Sequence, residues 1–289
     1  MKELVQKKSI FTVVDLKKCL KSKTLIAWTG FVFVLTILIF LFFDAFYGGR
    51  NFRTMQDKIS SIEEIDLTGL RELQASGGNT PRFFDVQRRL SHIHKTKIVV
   101  DAVGYFHGYV RGIPTNFLGY ARPANSTYWH ALRRLLLTGS TAIRPELVLS
   151  EAEEAKKYGF EYKSFLIGSK FVTDNETVDK FVAFIDSLSE NVWVHFHCAQ
   201  GKGRTTTMLV MLDILKNAPR VTLEDIIKRQ HCLGSQNLLD AVLWKNGSYT
   251  QEQLDKRKKF IEDFYEFVCQ RKAGGIQLWS EWKRQKQDV

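Results

Sequence analysis

From Leu25 to Phe43 the chain reads LIAWTGFVFVLTILIFLFF, without a charged residue. A helix needs about 20 apolar residues to cross a hydrocarbon layer of about 30 Å, and this run meets that length. Beyond Thr29 and Thr36 it lacks the polar stripe that a helix at the edge of a soluble core retains. A cleaved signal peptide would have a shorter apolar region and a small-x-small site, which Asp44-Ala45-Phe46-Tyr47 does not supply. The run is therefore expected to be an uncleaved transmembrane anchor over residues 25–43. Before it stand Lys2, Lys7, Lys8, Lys17, Lys18, Lys21 and Lys23 against Glu3 and Asp15; after it come Asp44 and, further on, Arg50 and Arg53. The positive-inside rule puts residues 1–24 in the cytoplasm and the bulk of the protein on the other side of the membrane.

Residues 48–289 have the length of one domain. The chain as a whole is 44% hydrophobic and 25% charged, which excludes a wholly disordered or collagenous protein. Short β-branched runs at Lys97–Asp101, Ser164–Ile167 and Val192–His197 read as strands. Val178, Phe181, Val182, Ile185 and Leu188 recur at helical spacing between the last two. A helix from Met208 to Lys216 follows, then one that Thr222 caps with Asp225 three residues on. Phe260, Ile261, Phe264, Phe267 and Val268 mark a late amphipathic helix. Strand and helix in alternation imply an α/β fold, a mostly parallel sheet flanked by helices.

The net charge of +11 suits an anionic ligand. No basic stripe with interleaved aromatics is present, so nucleic acid is not an expected partner. Cys19, Cys198, Cys232 and Cys269 lie too far apart for a zinc site or a disulfide framework, and no metal or cofactor is expected. Cys232 and Cys269 fall in helical patterns and read as inert core thiols.

The chemistry concentrates in His195-Phe196-His197-Cys198-Ala199-Gln200-Gly201-Lys202-Gly203-Arg204-Thr205-Thr206-Thr207. A strand ends at His197, a glycine-bearing loop follows, and a helix begins near Arg204. The amides of such a loop converge on an anion, and the helix dipole adds to their field. That field would stabilise a thiolate at Cys198, the candidate nucleophile. Arg204 offers a planar fork to two phosphate oxygens. Gly201 and Gly203 permit the tight path, and the Thr205 hydroxyl can hydrogen-bond the sulfur. His197, Ala199, Gln200, Gly201, Lys202 and Gly203 are the candidate substrate-binding residues of the loop.

This Cys-x5-Arg stretch, in the form HCxxGxGRT, resembles the phosphate loop of the protein-tyrosine-phosphatase superfamily. HFHCxxGxGRTTT with Glu224–Gln230 resembles the cysteine phytases, tyrosine-phosphatase-like inositol polyphosphate phosphatases. Asn51–Thr54, Ala75-Ser76-Gly77, Val100-Asp101 with His107–Pro114, and Trp279–Trp282 look like the same family, so the resemblance spans roughly residues 50–283. It implies metal-independent removal of phosphate from inositol polyphosphates through a phosphocysteine intermediate.

The chain departs from that family's pattern twice. The family carries a general-acid aspartate before the helix that leads to the catalytic strand, and counting back from Cys198 puts Ser169 there. Asp174, five residues on, is the nearest carboxylate to stand in for it, although as a plain structural residue it would cap the helix starting near Thr177. The family's Asp-Leu-Arg-x-Glu run is Asp101-Ala102-Val103-Gly104-Tyr105 here, without the arginine. Lys202 and Lys170 would partly restore that charge, or else are solvated surface lysines. Alternatives to an inositol polyphosphate phosphatase weakened by the lost acid are a phosphoinositide or phosphoprotein phosphatase and a catalytically weak phosphate-binding pseudophosphatase. The Lys202-bearing loop resembles lipid-directed members of the superfamily. Expected partners are a phosphorylated small molecule and the membrane, the latter through the N-terminal helix.

Overall fold

A computed structural model describes residues 10–46, 49–60, 64–103, 107–120, 126–167, 173–243 and 249–287, with side chains of the first helix described over residues 23–42. In chain order the elements are α1 (Ile10–Phe46), β1 (Arg53–Thr54), β2 (Ala75–Asn79), α2 (Phe83–Arg89), β3 (Thr96–Asp101), β4 (Gly108–Val110), β5 (Ile113–Pro114), α3 (Tyr128–Thr138) and β6 (Leu149–Ser150). There follow α4 (Glu151–Lys157), β7 (Phe160–Ser164), α5 (Asn175–Ser187), β8 (Val192–Cys198), α6 (Gly203–Asn217), α7 (Leu223–Cys232), α8 (Gln251–Lys272) and α9 (Trp279–Gln287).

The main sheet runs β1-β2-β8-β3-β7, with β2, β8, β3 and β7 parallel and β1 antiparallel at one edge. This is the α/β arrangement that alternating strands and helices imply. A second, antiparallel sheet, β5-β4-β6, stands beside it. Strand β8 is central and covered on both faces, so its side chains divide between two interiors. Val194, Phe196 and Cys198 join the larger core with α5, α6 and α8, while Trp193 joins Phe83, Val99, Tyr109 and Phe160 on the other side. Helix α6 lies directly on β2: a Cβ on Gly77 would come within 2.7 Å of Thr205 Cγ2 and 2.8 Å of Leu209 Cδ1. That close approach fixes where the N-terminus of α6 meets the end of β8.

Two local expectations are corrected. The strand assigned to Ser164–Ile167 lies at Phe160–Ser164 instead. It is an edge strand paired only with β3, so its exposed face tolerates Glu161 and Lys163, and the apolar run that followed is not the ladder. Cys232 is exposed at the end of α7 rather than part of the core; Cys269 is half-buried.

Helix α1 is long and apolar enough over Lys23–Phe42 to cross a membrane, with mean hydropathy 2.6. Nearly all of that stretch faces away from the protein, unlike a core helix. Its far end is different: Leu41 is 2% exposed, and Leu41 O accepts a 2.8 Å hydrogen bond from Arg133 Nε in α3.

Candidate active site

The loop from Cys198 to Arg204 joins the carboxyl end of β8 to the N-terminus of α6, where ligands gather in open parallel sheets. Gly201 has φ +71°, and a Cβ there would lie 2.4 Å from both Gly78 C and Asn79 N. Only glycine takes that backbone region without strain, and only glycine lets the loop pack this closely on the end of β2.

Cys198 is buried. Burial by itself pushes the thiol pKa up, but hydrogen bonds from the Thr205 hydroxyl and amide, the Gln200 amide and the charge of Arg204 outweigh it, and the pKa falls below the usual thiol value. Thr205 Oγ1 is also 3.2 Å from Gly78 O, so its proton has two acceptors and can swing to the sulfur when the sulfur is charged. Arg204 donates through Nη1 to Ala102 O at 2.6 Å, which fixes the guanidinium beside the carboxyl end of β3.

A second arginine holds the loop from below. Arg53 in β1 is 2% exposed and donates from Nη1 to Gly201 O at 2.8 Å and to Asn51 O at 2.9 Å. Its Nε donates to Ser235 Oγ at 2.9 Å and its Nη2 to Thr206 Oγ1 at 3.2 Å. Burial lowers its pKa to about 10 while a charged Cys198 raises it, so guanidinium and thiolate favour each other. Asn51 Nδ2 adds a 2.7 Å bond to Gln200 O. In the sequence Arg53 stood out only as a charge following the anchor and as part of a family resemblance; a buried arginine four residues after a glycine has no local signature.

On the opposite face of β8 His197 is wholly buried, so it stands behind the loop and not in the substrate pocket, contrary to its assignment as a substrate-binding residue. The alternation of the strand dictates this, since Cys198 and His197 must point to opposite sides. His197 Nε2 lies 3.0 Å from Glu151 Oε1 and 3.7 Å from Asp101 Oδ1, and His107 Nε2 contacts Glu151 Oε2. Tyr109 and Tyr162 donate to Glu151 and Asp101 at 3.2 and 3.0 Å. Burial lowers the His197 pKa, but Glu151 and Asp101 raise it more, and the net shift is upward. Burial raises the Glu151 pKa, and the two histidines bring it down to about 2. Donor atoms of Asp101, His107, Glu151 and His197 lie within 4.8 Å of one another, the one group among the described residues that could hold a metal ion. Protonated imidazole facing carboxylate also balances the charge without an ion.

Beside the loop opens a cavity of about 710 Å³ with Ala199, Gln200 and Lys202 in its wall. Arg50, Arg82 and Arg133 line it too, with His130. Burial and the neighbouring Arg133 and Arg134 lower the His130 pKa. The pocket thus takes arginines from three segments in addition to Lys202, where only lysines were expected to answer for the arginine missing after Asp101. Ser169 and Lys170 lie outside the described residues. Asp174 is the N-cap of α5: its Oδ1 accepts from Thr177 N at 2.8 Å, and this bond lowers its pKa. An exposed carboxylate held ionised by a cap is poorly suited to give up a proton at neutral pH.

The sequence model of the PTP-like phytases, described by the words inositol hexakisphosphate, matches residues 129–216, from α3 through the loop to the end of α6. Two uncharacterised AvrBs1.1 proteins, of Xanthomonas campestris pv. campestris and Xanthomonas euvesicatoria, are 39% identical over 89 residues, 31% of this chain and 86% of theirs. The tandemly repeated PTP-like phytase of Mitsuokella multacida, and the PTP-like myo-inositol phosphatase of the same organism in complex with myo-inositol-(1,3,4,5)-tetrakisphosphate, each superimpose with a TM-score of 0.65 at 26% identity. Each match covers 83% of this chain and 46% of the Mitsuokella chain, so this chain spans less than half of its length. A PTP-like phytase from Bdellovibrio bacteriovorus gives a TM-score of 0.59 at 26% identity over 81% of this chain and 89% of its own. Loop, fold and relatives agree on the PTP-like phytases: residues 129–216 carry that family's sequence, and the fold around them is that of its solved members.

Proposed function

We propose that this protein is a phosphomonoesterase that acts on inositol phosphates through a phosphocysteine, anchored by residues 25–43 with its domain of residues 48–289 outside the cytoplasm. The observation that carries the activity is a buried Cys198 with a lowered thiol pKa, set in a strand-to-helix loop beside a cavity lined by arginines. In the first step the Cys198 sulfur attacks phosphorus, an S–P bond forms, and the P–O bond to the inositol breaks. The loop amides and Arg204 take up charge on the equatorial oxygens as it develops. In the second step water attacks phosphorus, the S–P bond breaks, and the Thr205 hydroxyl turns to the departing thiolate. Arg50, Arg82, Arg133 and Lys202 line the pocket and can pair with phosphates that do not react. Support for an inositol phosphate over another phosphomonoester comes from the Mitsuokella relative, solved with an inositol tetrakisphosphate.

The proton for the inositol alkoxide is the step with least provision. The counted register puts Ser169 where the family has its aspartate, and Asp174 is engaged as a cap. We therefore expect slow but real turnover of inositol phosphates. The test is phosphate release from inositol hexakisphosphate and from an inositol tetrakisphosphate by the full chain in detergent, beside Cys198→Ser. The variant should bind the ligand by calorimetry without releasing phosphate. Release that survives in Cys198→Ser would remove the mechanism.

A further inference from the structure

The substrate pocket is built against the membrane anchor. Phe40 of α1 meets Trp129 of α3 with ring centroids 6.1 Å apart at 68°, and Phe42 meets Phe117 at 6.1 Å. Phe117 is a pocket residue. Arg133, also in the pocket wall, joins the two bodies: its Nε donates to Leu41 O at 2.8 Å, its Nη1 donates to Phe117 O at 3.2 Å, and its guanidinium lies 4.1 Å over the Phe117 ring. The charge-free run of α1 ends at Phe43, so these contacts fall at the level where the span leaves the hydrocarbon.

Helix α3 has the two faces of a helix lying in a membrane surface. His130 and Arg133 point to the pocket side. On the outer side Tyr128 is 78% exposed, Trp129 44%, Leu135 44% and Leu136 48%, residues spaced to share one helical stripe. A soluble protein seldom leaves such a stripe bare, whereas tyrosine and tryptophan beside leucines on one face suit the headgroup boundary. The stripe adjoins the end of the span, and the contacts above fix the two helices to one another. A bilayer crossed by α1 would therefore lie against the outer face of α3, whose other face carries His130 and Arg133 into the cavity wall.

We infer that the substrate is the inositol phosphate headgroup of a lipid in the same bilayer, with α3 seated in the membrane surface and the arginine-lined cavity opening toward it. This rests on the phosphatase reading above and narrows its substrate class. A headgroup is already confined at the pocket's level, and sharing one surface raises its effective concentration over that of a soluble inositol phosphate. The cavity chemistry serves both sources equally, so the bilayer decides between them.

The test uses the full chain in phosphatidylcholine nanodiscs, which leave both bilayer faces accessible. Three probes are compared: a phosphatidylinositol bisphosphate in the nanodisc, the matching deacylated glycerophosphoinositol bisphosphate in solution, and para-nitrophenyl phosphate. The lipid is expected to be turned over about tenfold or more faster than its soluble headgroup at equal bulk concentration. The double variant Leu135→Glu/Leu136→Glu should abolish that preference while para-nitrophenyl phosphate turnover stays unchanged, which also reports an intact fold. Equal rates on lipid and soluble headgroup, or a lipid preference that survives the double variant, would overturn the inference and leave the inositol phosphatase reading standing. Cleavage of para-nitrophenyl phosphate with neither inositol compound touched would instead overturn the inositol phosphatase reading itself.

Discussion

Replacing Arg53 with methionine removes the tether under the phosphate loop while keeping a side chain of similar length. The lost partners are unequal: the Ser235 and Thr206 hydroxyls lose a donor but keep a proton of their own to give, water can reach Asn51 O at an exposed residue, and the buried Gly201 carbonyl is the one left stranded. A stranded buried carbonyl costs about 1–3 kcal/mol. Against that, the drop of the Arg53 pKa from 12.5 to about 10 corresponds to about 3 kcal/mol held against the charged form, which the apolar side chain recovers. The two terms are of similar size, so stability should change by about 2 kcal/mol or less, a shift in melting temperature of about 8 °C or less in a chain of this size. The effect on rate is larger, because Gly201 belongs to the loop that aligns the phosphate; a displacement near 1 Å there costs about 10²-fold in kcat. A structural role alone would not move the thiol, but the mutual attraction of Arg53 and Cys198 means that the thiol pKa must rise when Arg53 is lost. The assay is therefore threefold: thermal unfolding, phosphate release, and the pH dependence of Cys198 alkylation by iodoacetamide. An unchanged alkylation midpoint together with an unchanged kcat would refute the argument, whatever the melting temperature does.

Three further outcomes follow from the same geometry. Gly201→Ala forces a Cβ to 2.4 Å from the β2 backbone at φ +71°, so it should lower kcat by about 10²-fold or more with circular dichroism unchanged. Asp174→Ala should cost about 1 kcal/mol in thermal unfolding and Asp174→Asn far less, since either Asp or Asn can cap α5; because the folded pKa of Asp174 is lowered, its contribution is present above the unfolded value of 3.8 and lost as pH falls through the folded one. Chelation by EDTA should leave turnover unchanged, as the thiolate step needs no ion, and elemental analysis of the purified protein would show whether the Asp101–His107–Glu151–His197 cluster holds one.

Strands β3 and β8, helices α5 and α8, and the phosphate loop were legible in the sequence because each is a local pattern. Val192–His197 is a continuous apolar run broken by histidines, Val178–Ile185 keeps the helical period, and Cys-x5-Arg is contiguous. Asp174 as a cap is equally local, a carboxylate three residues before the amide that it accepts from. What stayed hidden is built from distant segments. Arg53 reaches Gly201 across 148 positions, and the buried cluster joins residues 101, 107, 151 and 197, so no spacing announces either. β7 was misplaced because an edge strand need not be apolar on both faces. The cavity cations come from the segment after the anchor, the start of α2 and the middle of α3, each unremarkable in its own window.

The two departures from the family pattern have different physical consequences, and the pocket can offset only one of them. Losing an arginine after Asp101 is a loss of positive charge, and Arg50, Arg82, Arg133 and Lys202 bring charge into the same cavity. With Ser169 in the acid's place, as the counted register proposes, what is lost is a transferable proton, which a guanidinium that stays charged far above neutral pH cannot supply. Binding and chemistry should therefore separate: KM for inositol phosphates stays ordinary while kcat is low. An aryl leaving group of low pKa departs with little help, whereas an inositol alkoxide needs its proton in the transition state, a difference worth about 10²–10⁴-fold. The chain should accordingly cleave para-nitrophenyl phosphate well and inositol phosphates slowly. Ser169→Asp should raise kcat on inositol phosphates with little gain on the aryl ester. Asp174→Asn should leave the ratio of the two rates unmoved, because its carboxylate is already committed to Thr177. A selective fall in inositol phosphate turnover in Asp174→Asn would show that the cap opens in the substrate complex and that Asp174 is the acid after all.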